Sequence, residues 1–209
     1  VPSVVYNEDC VEALKRFSEN HFDLAIVDPP YGLGKRLHNG SSSSPFIKSQ
    51  ALKINNWDNE IPTAEYFEQL KRVSKNQIIW GGNYFAEYLG NFRCFLYWDK
   101  TIHGNSYSDG EMAWTSFDKP VRYFRQNIAT ITSEGRIHPT QKSIILYKWI
   151  LNEFAKEGDL ILDTHVGSGS SRIACNELNF SFTGFEIDKD YYEAQEKRFK
   201  DFVSQLRMF

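Results

Sequence analysis

The run Phe22-Asp23-Leu24-Ala25-Ile26-Val27 ends on Asp28-Pro29-Pro30-Tyr31, and few folds can accommodate that ending. An apolar run bounded by polar residues and prolines is the pattern of a buried strand in a parallel sheet. Two consecutive prolines cannot donate to a sheet ladder, so the strand must stop at Asp28. Its carboxyl end then presents a carboxylate, the Pro29 carbonyl and the Tyr31 ring, at the place where ligands bind in open α/β sheets. The same residues taken alone also read as a proline-rich turn with an Asp cap. The stretch after Asp159 bears on that choice.

Leu160-Ile161-Leu162-Asp163 is a second apolar run, followed by Thr164-His165-Val166-Gly167-Ser168-Gly169-Ser170 and a helical pattern through Leu178. Strand, glycine turn and helix in that order form a nucleotide-type cofactor site, where glycines let a ligand lie against the backbone. A dinucleotide fingerprint would place a third glycine at 172, where this chain has Arg172, so a cofactor without a pyrophosphate fits better. Ser181 to Phe185 is the next strand, and Glu186 stands 19 residues after Gly167, where an acid reaches ribose hydroxyls.

Elsewhere the periodicity predicts strands at Val4–Tyr6, Gln77–Trp80 and Cys94–Trp98, and helices over Val11–Phe17, Ala64–Val73, Ser143–Phe154 and Asp190–Leu206. Met112–Thr115 and Val121–Phe124 read as two antiparallel strands finishing the sheet. Asp9 stands at a strand end and reads equally as a helix N-cap and as a ligand. Gly81-Gly82-Asn83 is a tight turn. In His138-Pro139-Thr140-Gln141-Lys142, Pro139 holds the chain out of helical geometry, so the next helix's first N-H groups either accept a carboxylate or take an ordinary cap.

The 209 residues fit one domain, 1–209, with an ordinary globular composition of 41% apolar residues. Residues 32–62, with Gly32, Gly34, Gly40 and Ser41 to Ser44, read as a flexible flap beside Asp28. Residues 99–137, rich in aromatic and basic side chains, read as a target-recognition region. The net charge of −3 argues mildly against a nucleic-acid partner, but its distribution argues for one. Lys35, Arg36, Lys48 and Lys53 stand in a segment without acids, and Arg122, Arg125 and Arg136 in a second basic segment. These are the candidate nucleic-acid contacts. Cys10, Cys94 and Cys175 lack metal spacing, so reduced thiols and no metal are expected. No signal-like or membrane-length apolar stretch is present, and a cytoplasmic location is the expectation.

Together, the Asp28-Pro29-Pro30-Tyr31 strand end, the glycine turn and Glu186 resemble the amino-methyltransferases of DNA, which take methyl from S-adenosylmethionine. Their order looks like the circularly permuted beta group. The resemblance implies a Rossmann-like α/β methyltransferase fold, with a seven-stranded, mostly parallel sheet, helices on both faces and one late antiparallel strand. It implies that Asp28, Pro29, Pro30 and Tyr31 are catalytic. Asp163, Gly167, Ser168 and Gly169 would form the floor under S-adenosylmethionine, with Asp28 alongside. Glu186 would hold the ribose, Asp9 and Cys10 would lie near the adenine ring, and His138, Thr140 and Lys142 near the methionine carboxylate. Where the family commonly has Asp-Pro-Phe, this chain has Asp163-Thr164-His165. An imidazolium beside a sulfonium costs energy, so His165 is expected to be neutral with cofactor bound, and affinity to fall through the histidine pH range. The implied reaction is methylation of adenine N6 in double-stranded DNA with base flipping. Cytosine-N4 methylation and an inactive DNA-binding subunit are the alternatives, and a homodimer or partner subunit is compatible with either.

Overall fold

The computed structural model describes residues 1–33, 60–102, 104, 108–127, 137–138, and 140–206. Most of the expected 32–62 flap, along with Lys35, Arg36, Lys48, Lys53, Arg136 and Pro139, lies outside the described residues. In chain order the elements are β1 (Ser3–Tyr6), α1 (Cys10–Leu14), β2 (Phe22–Val27), α2 (Ala64–Val73), β3 (Ser74–Trp80) and α3 (Ala86–Leu89). They continue with β4 (Phe95–Asp99), β5 (Gly110–Thr115), β6 (Arg122–Arg125), α4 (Ile144–Phe154), β7 (Leu160–Asp163), α5 (Ser170–Glu177), β8 (Ser181–Phe185) and α6 (Lys189–Leu206).

The described strands form one eight-stranded sheet in the order β1-β8-β7-β2-β3-β5-β4-β6. Only β5 runs against its neighbours, pairing antiparallel with both β3 and β4. The fold class is the one expected, but the count is eight rather than seven. The Val121–Phe124 expectation also needs correction. That segment, as β6, lies parallel to β4, which separates it from β5. Two aromatic-rich runs a short turn apart suggest a hairpin, whereas here the chain after β5 crosses over to the sheet's far edge.

Alternation along the strands divides the core in two. Leu24, Ile26, Ile78, Trp80, Leu96 and Trp98 pack with Leu146, Ile150, Ala174 and Cys175 on one face. Ala25, Val27, Ile79 and Leu162 pack with Leu14, Tyr66, Phe67 and Leu70 on the other. Helices therefore cover both faces, as the doubly apolar strands require. Two caps fix helix starts: the Asp9 carboxylate accepts from the Glu12 N-H at 3.0 Å, and the Ser143 hydroxyl accepts from the Leu146 N-H at 3.0 Å. Arg172, the residue in place of a third glycine, clamps elements together, donating to Ser3 and Glu196 with its guanidinium 3.9 Å from the Phe199 ring centre. No helix among the described residues is long and apolar enough to cross a membrane.

Candidate active site

The neighbours β1, β8, β7 and β2 all end at one rim, and each delivers an acid there: Asp9 after β1, Glu186 after β8, Asp163 at the end of β7, and Asp28 after β2. The reversed strand β5 brings its beginning to the same rim, where Glu111 lies opposite Trp98. These five carboxylates lie at the carboxyl edge of the parallel strands, where β4 also ends on Asp99.

Asp28 is held from two sides. The Tyr31 hydroxyl donates to Oδ1 at 2.6 Å, and the Lys142 ammonium donates to Oδ2 at 2.5 Å. Lys142 also lies 2.9 Å from Glu111 Oε2, and Lys100 lies 2.6 Å from Glu111 Oε1. The Lys142 ammonium stands 5.0 Å over the Trp80 ring. Burial pushes the Asp28 carboxyl up, and Lys142 offsets only part of that rise. Burial acts the same way on Glu111, but two ammonium neighbours reverse it and hold that carboxyl at about 2. Lys142 itself is disfavoured by burial, yet Asp28 and Glu111 raise it above the ordinary lysine value.

In this arrangement Lys142 meets a partner that its sequence position does not show. Its ammonium turns into the Asp28 cluster, and the helix it precedes takes an ordinary Ser143 cap. Tyr31 has a partner of its own as well. Its ring stacks on Tyr84, with centroids 5.1 Å apart and planes at 19°, so one face is already covered. A Cβ on Gly81 would lie 2.3 Å from Tyr31 Cε1, and the absence of a side chain there lets the ring rest against the backbone. The turn residues Gly81 and Tyr84 therefore shape the site together.

On the other half of the rim, Glu186 ties the glycine turn together. It accepts from the Gly167 N-H at 2.8 Å and from the Asp188 N-H at 2.9 Å. Gly167 and Gly169 both have positive φ, at 52° and 76°, and Gly169 is the α5 N-cap. A Cβ on Gly167 would meet nothing nearer than the His138 ring at 3.7 Å, which leaves open backbone beneath His138. His138 packs edge-on to Tyr191 at 4.4 Å, and its Nδ1 lies 3.2 Å from the Thr140 hydroxyl. Ser168 is buried, and its carbonyl accepts from Arg198 at 2.9 Å. Cys10 stays a thiol, pushed up to about 12 by burial and by Asp9.

Asp163 accepts from the His165 N-H at 3.0 Å and the Ser171 hydroxyl at 2.6 Å. Burial outweighs these bonds, and Asp28 and Glu186 add repulsion, raising its carboxyl to about 7. Burial lowers the His165 imidazole to about 4. Its Nδ1 lies 2.9 Å from the Thr164 hydroxyl, which in turn lies 2.7 Å from the Tyr66 hydroxyl.

The two described arginines among the nucleic-acid candidates diverge. Arg122 is tied to Glu153 of α4 at 3.3 Å, whereas Arg125 keeps its side chain 64% exposed beside Asp99 at 3.7 Å. Glu111, Tyr84 and Trp80 were not singled out from the sequence. Glu111 carried one signal: an acid opening the apolar run Met112-Ala113-Trp114.

Comparisons with known proteins accord with this geometry. The type II methyltransferase M.HpaI of Haemophilus parainfluenzae is 26% identical over 235 aligned residues, covering 91% of this chain and 72% of that protein. M2.MboI of Moraxella bovis is 23% identical, covering 97% and 89%. The crystal structure of the M1.HpyAVI-SAM complex superposes with a TM-score of 0.61 at 20% identity, covering 93% of this chain and 98% of that one. PvuII DNA methyltransferase, described as cytosine-N4-specific, superposes at 0.63 and 15% identity, covering 95% and 86%. At these identities the superpositions establish the fold. The family model N6_N4_Mtase, DNA methylase, matches residues 93–197, half of the chain including Glu111, Lys142, the glycine turn and Glu186, and by that match the chain belongs to the DNA methylase family.

Proposed function

We propose that the chain methylates the exocyclic N6 amine of adenine in double-stranded DNA, with S-adenosylmethionine as the donor. The observation that carries this reading is the Asp28-Pro29 strand end, held by Lys142 and Tyr31 beside a row of carboxylates. The donor set suits the cofactor. Its cationic centres and ribose hydroxyls match the acids Asp163, Glu186 and Asp9, and its bulk matches the open backbone at Gly167. When bound, it supplies a methyl carbon made electrophilic by a sulfonium.

The adenine amine is a poor nucleophile because its lone pair is delocalised into the ring. Asp28 and the Pro29 carbonyl can each accept one N-H, which directs the lone pair out of the ring plane. Pro30 has no N-H to compete for those acceptors. Positive charge grows on the nitrogen as methyl transfers, so the fixed carboxylate stabilises the transition state more than the ground state. Prior proton removal is unnecessary. A base inside a duplex must be turned out to reach this rim. To stack on Tyr31 it must take the face that Tyr84, 44% exposed, now covers.

The choice of adenine rests on Asp at position 28, since cytosine-N4 members of the family resembled more often carry Ser. Incubation with cofactor and mixed-sequence DNA, digestion to nucleosides and mass spectrometry is expected to show N6-methyladenine. N4-methylcytosine alone would overturn the base assignment. No methylated nucleoside from DNA or RNA, with cofactor binding confirmed, would support an inactive subunit.

Cofactor affinity is expected to depend on pH through Asp163 rather than His165. An ionised Asp163 is a counter-charge for a cationic ligand, so affinity is full above the raised carboxyl value of about 7 and is lost as pH falls through it. One linked proton changes the dissociation constant by up to about tenfold per pH unit. Calorimetric titrations from about pH 8 to about pH 4, the range between and around the two groups, test this, and Asp163→Asn is expected to flatten the profile. A drop confined to the region near pH 4 would instead assign the dependence to His165.

A further inference from the structure

We propose that Glu111 is a positioning residue for the transfer: it is the second seat of the Lys142 ammonium, onto which that ammonium moves when the substrate amine takes its place at Asp28. This rests on the methyltransfer reading above and deepens it.

The geometry points to two anions sharing one ammonium, Asp28 through a hydrogen bond and Glu111 through an ion pair. Lys142 has a side chain only 2% exposed, so its ammonium has no water to fall back on and must keep an anion. It donates to Asp28 Oδ2, while Glu111 Oε2 lies 2.9 Å from the same nitrogen out of hydrogen-bond alignment. That Oε2 is buried and makes no hydrogen bond. The ion pair already holds this oxygen, and a small rotation of the ammonium away from Asp28 would turn the contact into a hydrogen bond. Lys100 holds the other oxygen, Oε1, at 2.6 Å, so Glu111 cannot swing away.

An incoming amine must compete with the two donors already on Asp28, the Tyr31 hydroxyl and Lys142. Without a second anion, releasing Asp28 would leave a buried cation unpaired. With Glu111 the lysine changes partner inside a ring of two acids and two ammoniums whose total charge does not change. Among the described residues, the other titratable groups near Asp28 are Tyr31, Tyr66, Tyr147 and Asp163. All three tyrosines are held neutral by burial, so Glu111 and Asp163 are the negative neighbours of Asp28.

The test is Glu111→Gln, read in two ways. Protein labelled with carboxyl-13C aspartate, with Asp28 assigned by difference from Asp28→Asn, is titrated by NMR without DNA. Removing the like charge should lower the Asp28 titration by at least about one pH unit, and Lys142→Met should raise it, because a neighbouring charge moves a carboxyl by that order. In methyl transfer to mixed-sequence DNA, Glu111→Gln should move the acid limb of kcat to lower pH. It should also lower the plateau about tenfold, the loss of roughly one charge-assisted hydrogen bond, with KM for DNA and cofactor unchanged. A purely structural role would lower stability without making the enzyme both slower and more acid-tolerant. An unmoved Asp28 titration, a shift in the same direction as Lys142→Met, or an unchanged kcat would each overturn the proposal. If the wild type methylates no nucleic acid, the methyltransfer reading falls, and the carboxyl titration alone decides whether Glu111 acts on Asp28.

Discussion

Replacing Asp28 by alanine is expected to slow methyl transfer by about 10²–10³-fold, the loss seen when one preorganised charge-stabilising group is removed from a reacting centre. Cofactor affinity should stay within a few-fold of wild type, because the Gly167 turn and Glu186 are held by contacts that do not involve Asp28. The fold should survive as well, since the buried Lys142 retains Glu111 at 2.9 Å as a counter-ion. Glu186→Ala should show the opposite pattern. It strips the acceptor from the Gly167 and Asp188 N-H groups and removes the acid proposed for the ribose, so binding should suffer first. Single-turnover kinetics at saturating cofactor, alongside calorimetric titration of each variant, separates the two steps. Wild-type turnover by Asp28→Ala on DNA would refute the mechanism.

Gly82→Ala is expected to be strongly destabilising for so small a change. A Cβ there would lie 2.5 Å from Trp114 Cβ and 2.7 Å from the Trp114 backbone nitrogen. Backbone cannot move aside as a flexible side chain can. Trp114 is also fixed in register against Ile79 of β3 and Phe95 of β4. Overpacking of this kind costs about 1–3 kcal/mol, and its upper end is expected here. For a chain of this size that corresponds to a loss of roughly 5–10 °C in Tm. Because the same turn supports Tyr31 and Tyr84, activity should fall even at temperatures where the variant is folded. Thermal melting with turnover measured well below Tm tests both statements, and a variant with an unchanged midpoint would mean the turn relaxes freely.

Much of this architecture could be read from the chain because its main signals are local. The apolar runs that became β2, β7 and β8 stop at Asp28, Asp163 and Glu186, and each acid emerged at the rim where ligands bind. The helix over Ala64–Val73 appears with the bounds its spacing predicted. What could not be read depends on partners distant in sequence. Lys142 next to a helix start looks like part of that start, and its pairing with Asp28 exists only because β2 and the segment before α4 meet at one rim. Glu111 looked like the polar edge of a strand, since nothing near it in sequence reveals that β5 is reversed. Tyr84 on Tyr31 is likewise a consequence of Gly81, which admits the ring. The pH dependence proposed for Asp163 was not legible for a related reason: the depth at which His165 and Asp163 sit is a property of the packed sheet.

The strand order also bears on how the protein is made. β2, β3, β4, β5 and β6 all lie between residues 22 and 125, so the half of the sheet that carries Asp28 can assemble early on an emerging chain. β1 precedes all of these strands in the chain, yet its described pairing is with β8 alone, Ser3 lying opposite Phe182. Until residues 181–185 have been synthesised, β1 has no such neighbour, and Gly167 lacks the carboxylate that fixes its turn. Since domains form as their parts emerge, the growing chain should pass through a stage with the Asp28 half of the sheet built and the Gly167 half still open. A nascent methyltransferase of this topology would therefore be unable to use its donor until almost the whole sheet had been translated.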